Sequence, residues 1–200
     1  MADNRQMQAQ LYLASRSPRR AELLQQLGLR FDVLPADVPE QPSPGQAPAD
    51  YALAVALAKA RAAAARAPLP LPVLAADTDV SIDGRILGKP RHRDDAVAML
   101  QELSGRTHEV CSAVVVLGGG RIESVVTMTR VRFGTIDAAA AAAYWESGEP
   151  ADKAGAYAVQ GGAARWVRSI EGSYSGVVGL PLYETCELLA RFGVQCGAGA

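Results

Sequence analysis

The eight residues Val73-Leu74-Ala75-Ala76-Asp77-Thr78-Asp79-Val80 are an apolar run that climbs to an acid, a hydroxyl and a second acid. Pro72 precedes them, and Ser81-Ile82 lead on to the turn Asp83-Gly84. An apolar run of this length between turn residues reads as a largely buried strand. Side chains alternate along a strand, so Asp77 and Asp79 project to one face. The pattern places Asp77 at the end of the apolar part. A carboxylate there is costly to desolvate unless it meets a cation or a hydrogen-bond network. A lone Asp in that place is most simply a turn cap, but residues elsewhere in the chain argue for more. Helical and strand patterns interleave on both sides of this run, so the fold class is α/β, with helices layered on a sheet.

The chain has 200 residues, 49% of them apolar and 20% charged, and a net charge of −1. That length is ample for a sizeable core, and the balance is that of a folded globular chain. We read residues 1–200 as one domain, with loose tails at 1–9 and 195–200. Near-neutral charge without a long basic run argues against a nucleic-acid polymer as partner. The longest apolar stretches, such as Ala52 to Ala58, stop at Lys59 and are too short to cross a bilayer, so no membrane is expected. The polar first ten residues lack the apolar segment of a secretion signal, so the expected location is cytoplasmic. Cys111, Cys186 and Cys196 are widely spaced and odd in number, which favours reduced thiols over a disulfide or zinc framework. His92 and His108 stand far apart and read as ligands of nothing.

Taken in order, Leu11 to Ala14 is a short strand, and Ser17 with Pro18 is a strong helix start that Gly28 ends. Ser15, Ser17 and three arginines crowd that start, where free N–H groups and the helix dipole favour an anion. An ordinary capped helix with solvated arginines has the same spacing. A second strand at Phe31 to Leu34 leads into a Pro-rich loop from Pro35 to Pro48 that carries Asp37 and Glu40. Asp50 caps an Ala-rich helix to about Arg66, on which Lys59 alone would be a surface residue. Gly88 and Pro90 flank Lys89 in a turn that aims its ammonium. Asp94 or Asp95 caps a helix to Leu103. His108 to Leu117 and Arg121 to Phe133 form a hairpin about three glycines, and Asp137 caps another helix. Gly-punctuated residues 152–162 contain Gln160, Ala164 to Ile170 is a strand, and Pro181 opens the last helix.

Leu13-Ala14-Ser15-Arg16-Ser17-Pro18-Arg19-Arg20 resembles the opening signature of the Maf family. Ala76-Asp77-Thr78, Gly88-Lys89-Pro90, Asp152 to Tyr157 with Gln160-Gly161, and Val178-Gly179-Leu180-Pro181-Leu182 resemble its later blocks, in order. Several independent blocks make a chance match improbable. The resemblance implies a mixed central sheet with flanking helices and a cleft between two lobes, as in inosine triphosphatases. It also implies a hydrolase of the α–β phosphoanhydride bond that turns a nucleoside triphosphate into monophosphate and pyrophosphate. The implied cofactor is a divalent cation, Mg²⁺ or in its place Mn²⁺ or Co²⁺, and homodimers are common in the family. Asp77 matches the catalytic acid that orients or deprotonates water, and Glu40 a second acidic site residue and metal ligand beside Asp77. Lys59 and Lys89 match the site lysines, while Ser15 and Arg20 hold the triphosphate at the helix start.

Arg19, Thr78 and Gln160 coincide with positions that, in this family, separate enzymes for dTTP and UTP from those for 7-methyl-GTP, which tend to carry Trp, Gln and Glu. A Gln amide answers both the O4 acceptor and the N3–H donor of uracil or thymine and, flipped, answers cytosine as well; donor-only Arg19 prefers carbonyl oxygens, of which cytosine has fewer. A pyrimidine nucleotide, modified or not, is therefore the expected substrate, in a nucleotide-pool housecleaning role. The alternatives are a 7-methyl-GTP pyrophosphatase and a nucleotide-binding regulator of septum formation with little turnover. Arg16, Ala58, Ala75 and Asp79 depart from the family pattern. Asp79 is either a third metal carboxylate or, more simply, a solvent-facing or salt-bridged strand residue.

Overall fold

The computed structural model describes residues 8–197; the expected loose ends at 1–7 and 198–200 lie outside the described residues. The element order is β1 (Leu11–Leu13), α1 (Pro18–Gln26), β2 (Phe31–Val33), α2 (Pro48–Ala64), β3 (Val73–Ile82), β4 (Arg85–Ile86), α3 (Arg93–Leu103), β5 (Thr107–Gly118), β6 (Arg121–Phe133), α4 (Ala138–Trp145), β7 (Val167–Glu171), α5 (Tyr174–Val178) and α6 (Leu182–Ala190). Three short 3₁₀ turns fill the interval between α4 and β7.

The strands form one mixed seven-stranded sheet in the order β2-β1-β3-β5-β6-β7, with β4 added to β3. β1 pairs in parallel with β2 and β3, and those connections run through α1 and α2, as parallel pairs require. The strands from β3 to β7 are antiparallel; tight turns join β3 to β4 and β5 to β6, whereas α3 lies between β4 and β5 and α4 with the 3₁₀ turns between β6 and β7. At the β5–β6 turn Gly119 and Gly120 both take positive φ, +57° and +75°, as a two-residue hairpin demands.

Three apolar clusters cover the sheet. Ala52, Ala56, Ala60 and Ala63 of α2 pack on Tyr12, Ala75, Ala113 and Val115 of one face. Leu23 and Leu24 of α1 and Leu188 and Leu189 of α6 pack on Leu13, Leu74, Val114 and Val116 of the other. Further along the long strands, Leu100 and Leu103 of α3 and Tyr144 of α4 meet Val80, Val131, Phe133 and Trp166. β3 threads both regions. Its free edge is covered by β1 at Val73–Leu74 and by β4 at Ser81–Ile82, with Leu87 N–H donating to the Val80 carbonyl. Between these two contacts no strand among the described residues lies along this edge at Ala76 to Asp79, whose other edge pairs with β5, and that gap is the floor of the cleft.

Several expectations are corrected. β3 extends to Ile82, so Asp77 lies in mid-strand rather than at its end. The N-cap of α2 is Ala47, with Asp50 inside the first turn, because Pro48 already supplies the first helical position. α3 is capped by His92, whose Nδ1 accepts from Asp95 N–H, while Asp95 is engaged with Arg91. Gly162–Trp166 is a 3₁₀ turn, so the strand begins only at Val167. Residues 195–197 are not loose: Gly197 N–H donates to the Leu27 carbonyl, and Cys196 is disulfide-bonded to Cys186 with Cα atoms 5.8 Å apart. The turn after α6 folds the chain back along the helix, which spacing alone does not reveal. Cys111 remains a buried free thiol.

Candidate active site

One cleft of about 700 Å³ opens at the gap in β3, within the range of small-molecule sites, roughly 300–1,000 Å³. All nine residues singled out from the sequence line it: Ser15, Arg19, Arg20, Glu40, Lys59, Asp77, Thr78, Lys89 and Gln160.

Its floor follows from the α2 pattern. Buried positions 51, 52, 55, 56, 59, 60 and 63 make a stripe at helical spacing, and Lys59 falls inside it. Its side chain is therefore directed at the sheet rather than at solvent, and the residue is only 8% exposed. Its ammonium donates to Asp77 Oδ1 at 2.7 Å and pairs with Glu40 Oε1 at 2.6 Å. Lys89 donates to the other Glu40 oxygen at 3.0 Å. Glu40 thus bridges two lysines across the long loop. Burial opposes its ionisation, but the hydrogen bonds from Lys59 and Lys89 outweigh this and pull its pKa down to about 2.

The second wall is the start of α1. Pro18 has no N–H, the first turn holds no acid, and Ser17 makes no side-chain cap bond, so the helix end faces the cleft with its positive pole unanswered. Arg20, half-buried, donates to the Gly179 carbonyl at 2.9 Å, to Ser15 Oγ at 3.3 Å and to Thr78 Oγ1 at 3.4 Å. Desolvation lowers its pKa, against the pull of Asp77. Thr78 points away from Asp77, and its hydroxyl meets Ser112 Oγ at 3.0 Å. Arg16 is occupied outside the floor by Asp37, at 2.7 Å.

Asp79 is where the structure departs most from the simplest reading. It is neither solvent-facing nor salt-bridged: it is 7% exposed, lines the cleft, and its Oδ2 finds no hydrogen-bond partner among the described residues. Burial and then the adjoining Asp77 carboxyl push its pKa well above the carboxylate range. Desolvation, then Asp79, likewise raises the neighbouring Tyr51 hydroxyl. The alternation of β3 predicts the shared face, but only the packing of distant segments around the cleft, Tyr51 of α2 among them, keeps Asp79 from solvent. Tyr51 and Ser112 carry no signal in spacing that assigns them to the site, and Gly179 enters it only through the Val178–Leu182 block.

Among the described residues no three His, Cys, Asp or Glu side chains stand together as a metal cage. The acids fit a divalent ion that keeps phosphate oxygens and waters as most of its ligands, the habit of Mg²⁺. Asp77 opens on the cleft, and beside it the Asp79 oxygen is unclaimed.

A family model described as "Maf-like protein" matches residues 10–192. The chain is 51% identical over 190 residues to a dTTP/UTP pyrophosphatase of Xanthomonas campestris pv. campestris, covering 92% of this chain and all of the relative. It is 46% identical over 200 residues to a dTTP/UTP pyrophosphatase of Aromatoleum aromaticum, covering 94% and 97%. Among solved structures, the Staphylococcus aureus Ham1 protein aligns over 62% of this chain and 71% of its own with a TM-score of 0.44 at 16% identity. The blocks that converge on the cleft and the match along nearly the whole chain agree, and this chain belongs to the Maf family.

Proposed function

We propose that this protein hydrolyses dTTP and UTP to the nucleoside monophosphate and pyrophosphate, removing nucleotides from the pool. One observation carries the reading: Asp77, Lys59, Glu40, Lys89 and the start of α1 converge on a single cleft. The names borne by relatives at 46–51% identity support the substrate.

The charges of the cleft suit a triphosphate. Arg19, Arg20, Lys59 and Lys89 bring positive charge to the cleft, answered in part by Glu40 and Asp77, while Arg16–Asp37 and Lys153–Asp152 cancel as pairs. A nucleoside triphosphate with one divalent ion carries about two negative charges. Ser15, Arg20 and the free N–H groups of α1 hold the phosphate chain. Lys59 and Lys89 neutralise charge that gathers on the departing pyrophosphate, and Glu40 keeps both ammonium groups in place. Asp77, held by Lys59, orients the attacking water and accepts its proton. Asp77 and Glu40 would hold a divalent cation, Mg²⁺ or Mn²⁺ or Co²⁺, which supplies Lewis-acid polarisation of the phosphate oxygens. Gln160 and Arg19, on the cleft wall, read the O4 and N3–H edge of the pyrimidine.

The test is pyrophosphate release from dTTP, UTP, CTP, 7-methyl-GTP and ITP. The expected order puts dTTP and UTP first. Asp77→Asn lowers turnover at least about 10²-fold, as loss of a general base does. Release at near wild-type rate by that variant removes Asp77 from its role, and binding of dTTP with no release by the wild type points to a regulator.

A further inference from the structure

The segment that presents Gln160 is held from behind by a clasp outside the cleft. Gln160 stands at the tip of a turn closed by Gly161 N–H to the Ala158 carbonyl at 3.1 Å. On one side of the tip, Ala158 N–H donates to the Tyr144 hydroxyl at 3.1 Å. On the other, Gly162 N–H is shared by both Glu149 carboxylate oxygens, each at 3.1 Å. The Tyr144 hydroxyl in turn donates to Glu149 Oε1, so both ends of the tip are tied to a single tyrosine–carboxylate pair. Tyr144 is itself anchored in the core of α4, edge-on to Trp166. The fit leaves no slack: a Cβ at Gly161 would lie 2.1 Å from Glu149 Oε1, and one at Gly162 would lie 3.1 Å from the Tyr144 ring. Val159 is buried while Gln160 is exposed to the cleft, so the tip can reach the substrate only in the orientation that the clasp permits.

We propose that Glu149 and Tyr144 are positioning residues for base selection. They touch no substrate, and they set the height and angle at which Gln160 meets the base. The proposal rests on the reading that Gln160 contacts the pyrimidine. A charged acceptor shared by a hydroxyl and a backbone N–H is a stiff support, because its loss leaves two donors to find new partners. Base discrimination suffers first, since it depends on an amide being placed to within a fraction of an ångström. The phosphate half of the cleft, built on α1, α2 and β3, is untouched.

The experiment measures kcat and KM for UTP and CTP in the wild type, Tyr144→Phe, Glu149→Gln and Gln160→Ala, with inorganic tripolyphosphate as a competitive probe of the phosphate half. Tyr144→Phe and Glu149→Gln are each expected to cut the UTP-over-CTP ratio of kcat/KM by about tenfold, mainly through a raised KM for UTP, with tripolyphosphate inhibition unchanged. Tyr144→Phe keeps the ring in the core, so it carries the test if Glu149→Gln does not fold. A ratio retained in Tyr144→Phe but lost in Gln160→Ala overturns the clasp. A ratio retained in Gln160→Ala removes the base-contact reading, and the proposal with it. Weakening of tripolyphosphate inhibition in parallel with the loss of UTP activity also overturns the clasp, because it marks general loosening.

Discussion

At the scale of single residues, burial decides what each polar group can do. Lys59, Asp77 and Asp79 are all nearly inaccessible, yet the first two answer each other and the third does not. His108 shows the consequence for stability. It is 1% exposed, its Nε2 lies 2.8 Å from the Tyr157 hydroxyl, its Nδ1 has no partner among the described residues, and Phe133 packs edge-on against the ring. Desolvation lowers its pKa from 6.5 to about 4. The unfolded chain therefore takes up the proton before the folded one does. The contribution of neutral His108 is fully present above about pH 6.5 and is lost as pH falls towards 4, an effect of about 3 kcal/mol. Urea unfolding at intervals across that window should show this slope in the wild type and lack it in His108→Gln. An equal slope in both proteins would assign the acid lability elsewhere. No sequence signal separates His108 from the exposed His92, since both are isolated; only the packing of β5 against Phe133 and Tyr157 does.

At the scale of elements, the fit between the 3₁₀ turn Ala154–Ala156 and β3 ties the two walls of the cleft together. Gly155 has φ of +67°, its N–H donates to the Gly88 carbonyl at 2.8 Å, and an added Cβ would lie 2.9–3.1 Å from three atoms of Val80. Gly155→Ala thus meets both backbone strain and overpacking. We expect it to lower stability by about 2–4 kcal/mol in denaturant unfolding. With Val80→Ala as the background, the added cost of Gly155→Ala should shrink but not vanish, because the Cβ of residue 80 stays 3.0 Å from the added carbon. No added cost in that background would show that the left-handed backbone costs nothing here. The element types were largely legible, because periodicity, Pro18, Asp137 and the glycine hairpin act locally. The ends were less so: Pro48 displaced Asp50 from the cap, and the 3₁₀ turn at Gly162–Trp166 took what reads as strand, because Tyr144, Glu149 and Trp166 supply partners that local pattern cannot see.

At the scale of the whole molecule, the C-terminal turn is stapled to the body. The Cys186–Cys196 bridge closes a loop over ten positions, and Gly197 reaches the end of α1 at Leu27. Loop closure of this length stabilises by about 3 kcal/mol in the chain-entropy picture, so dithiothreitol or Cys196→Ser should lower the melting midpoint by roughly 5–10 °C. An unchanged midpoint under reduction would show that Val194 and α6 hold the turn unaided. The α/β class, the helix starts at Pro18 and after Asp137, and the β3 strand followed from the sequence by itself, because they depend on side-chain period and on backbone preferences that act within a few residues; the candidate site residues were legible through the resemblance of their blocks to the Maf family. Tertiary structure alone decided that, among the described residues, no second strand covers the free edge of β3 at Asp77–Asp79, that Lys59 turns inward to two carboxylates, that Asp79 meets no cation in a salt bridge, and that Glu149 stands behind Gln160. Each of these depends on how segments distant in the chain share space and desolvate one another, and no spacing along the sequence encodes that sum.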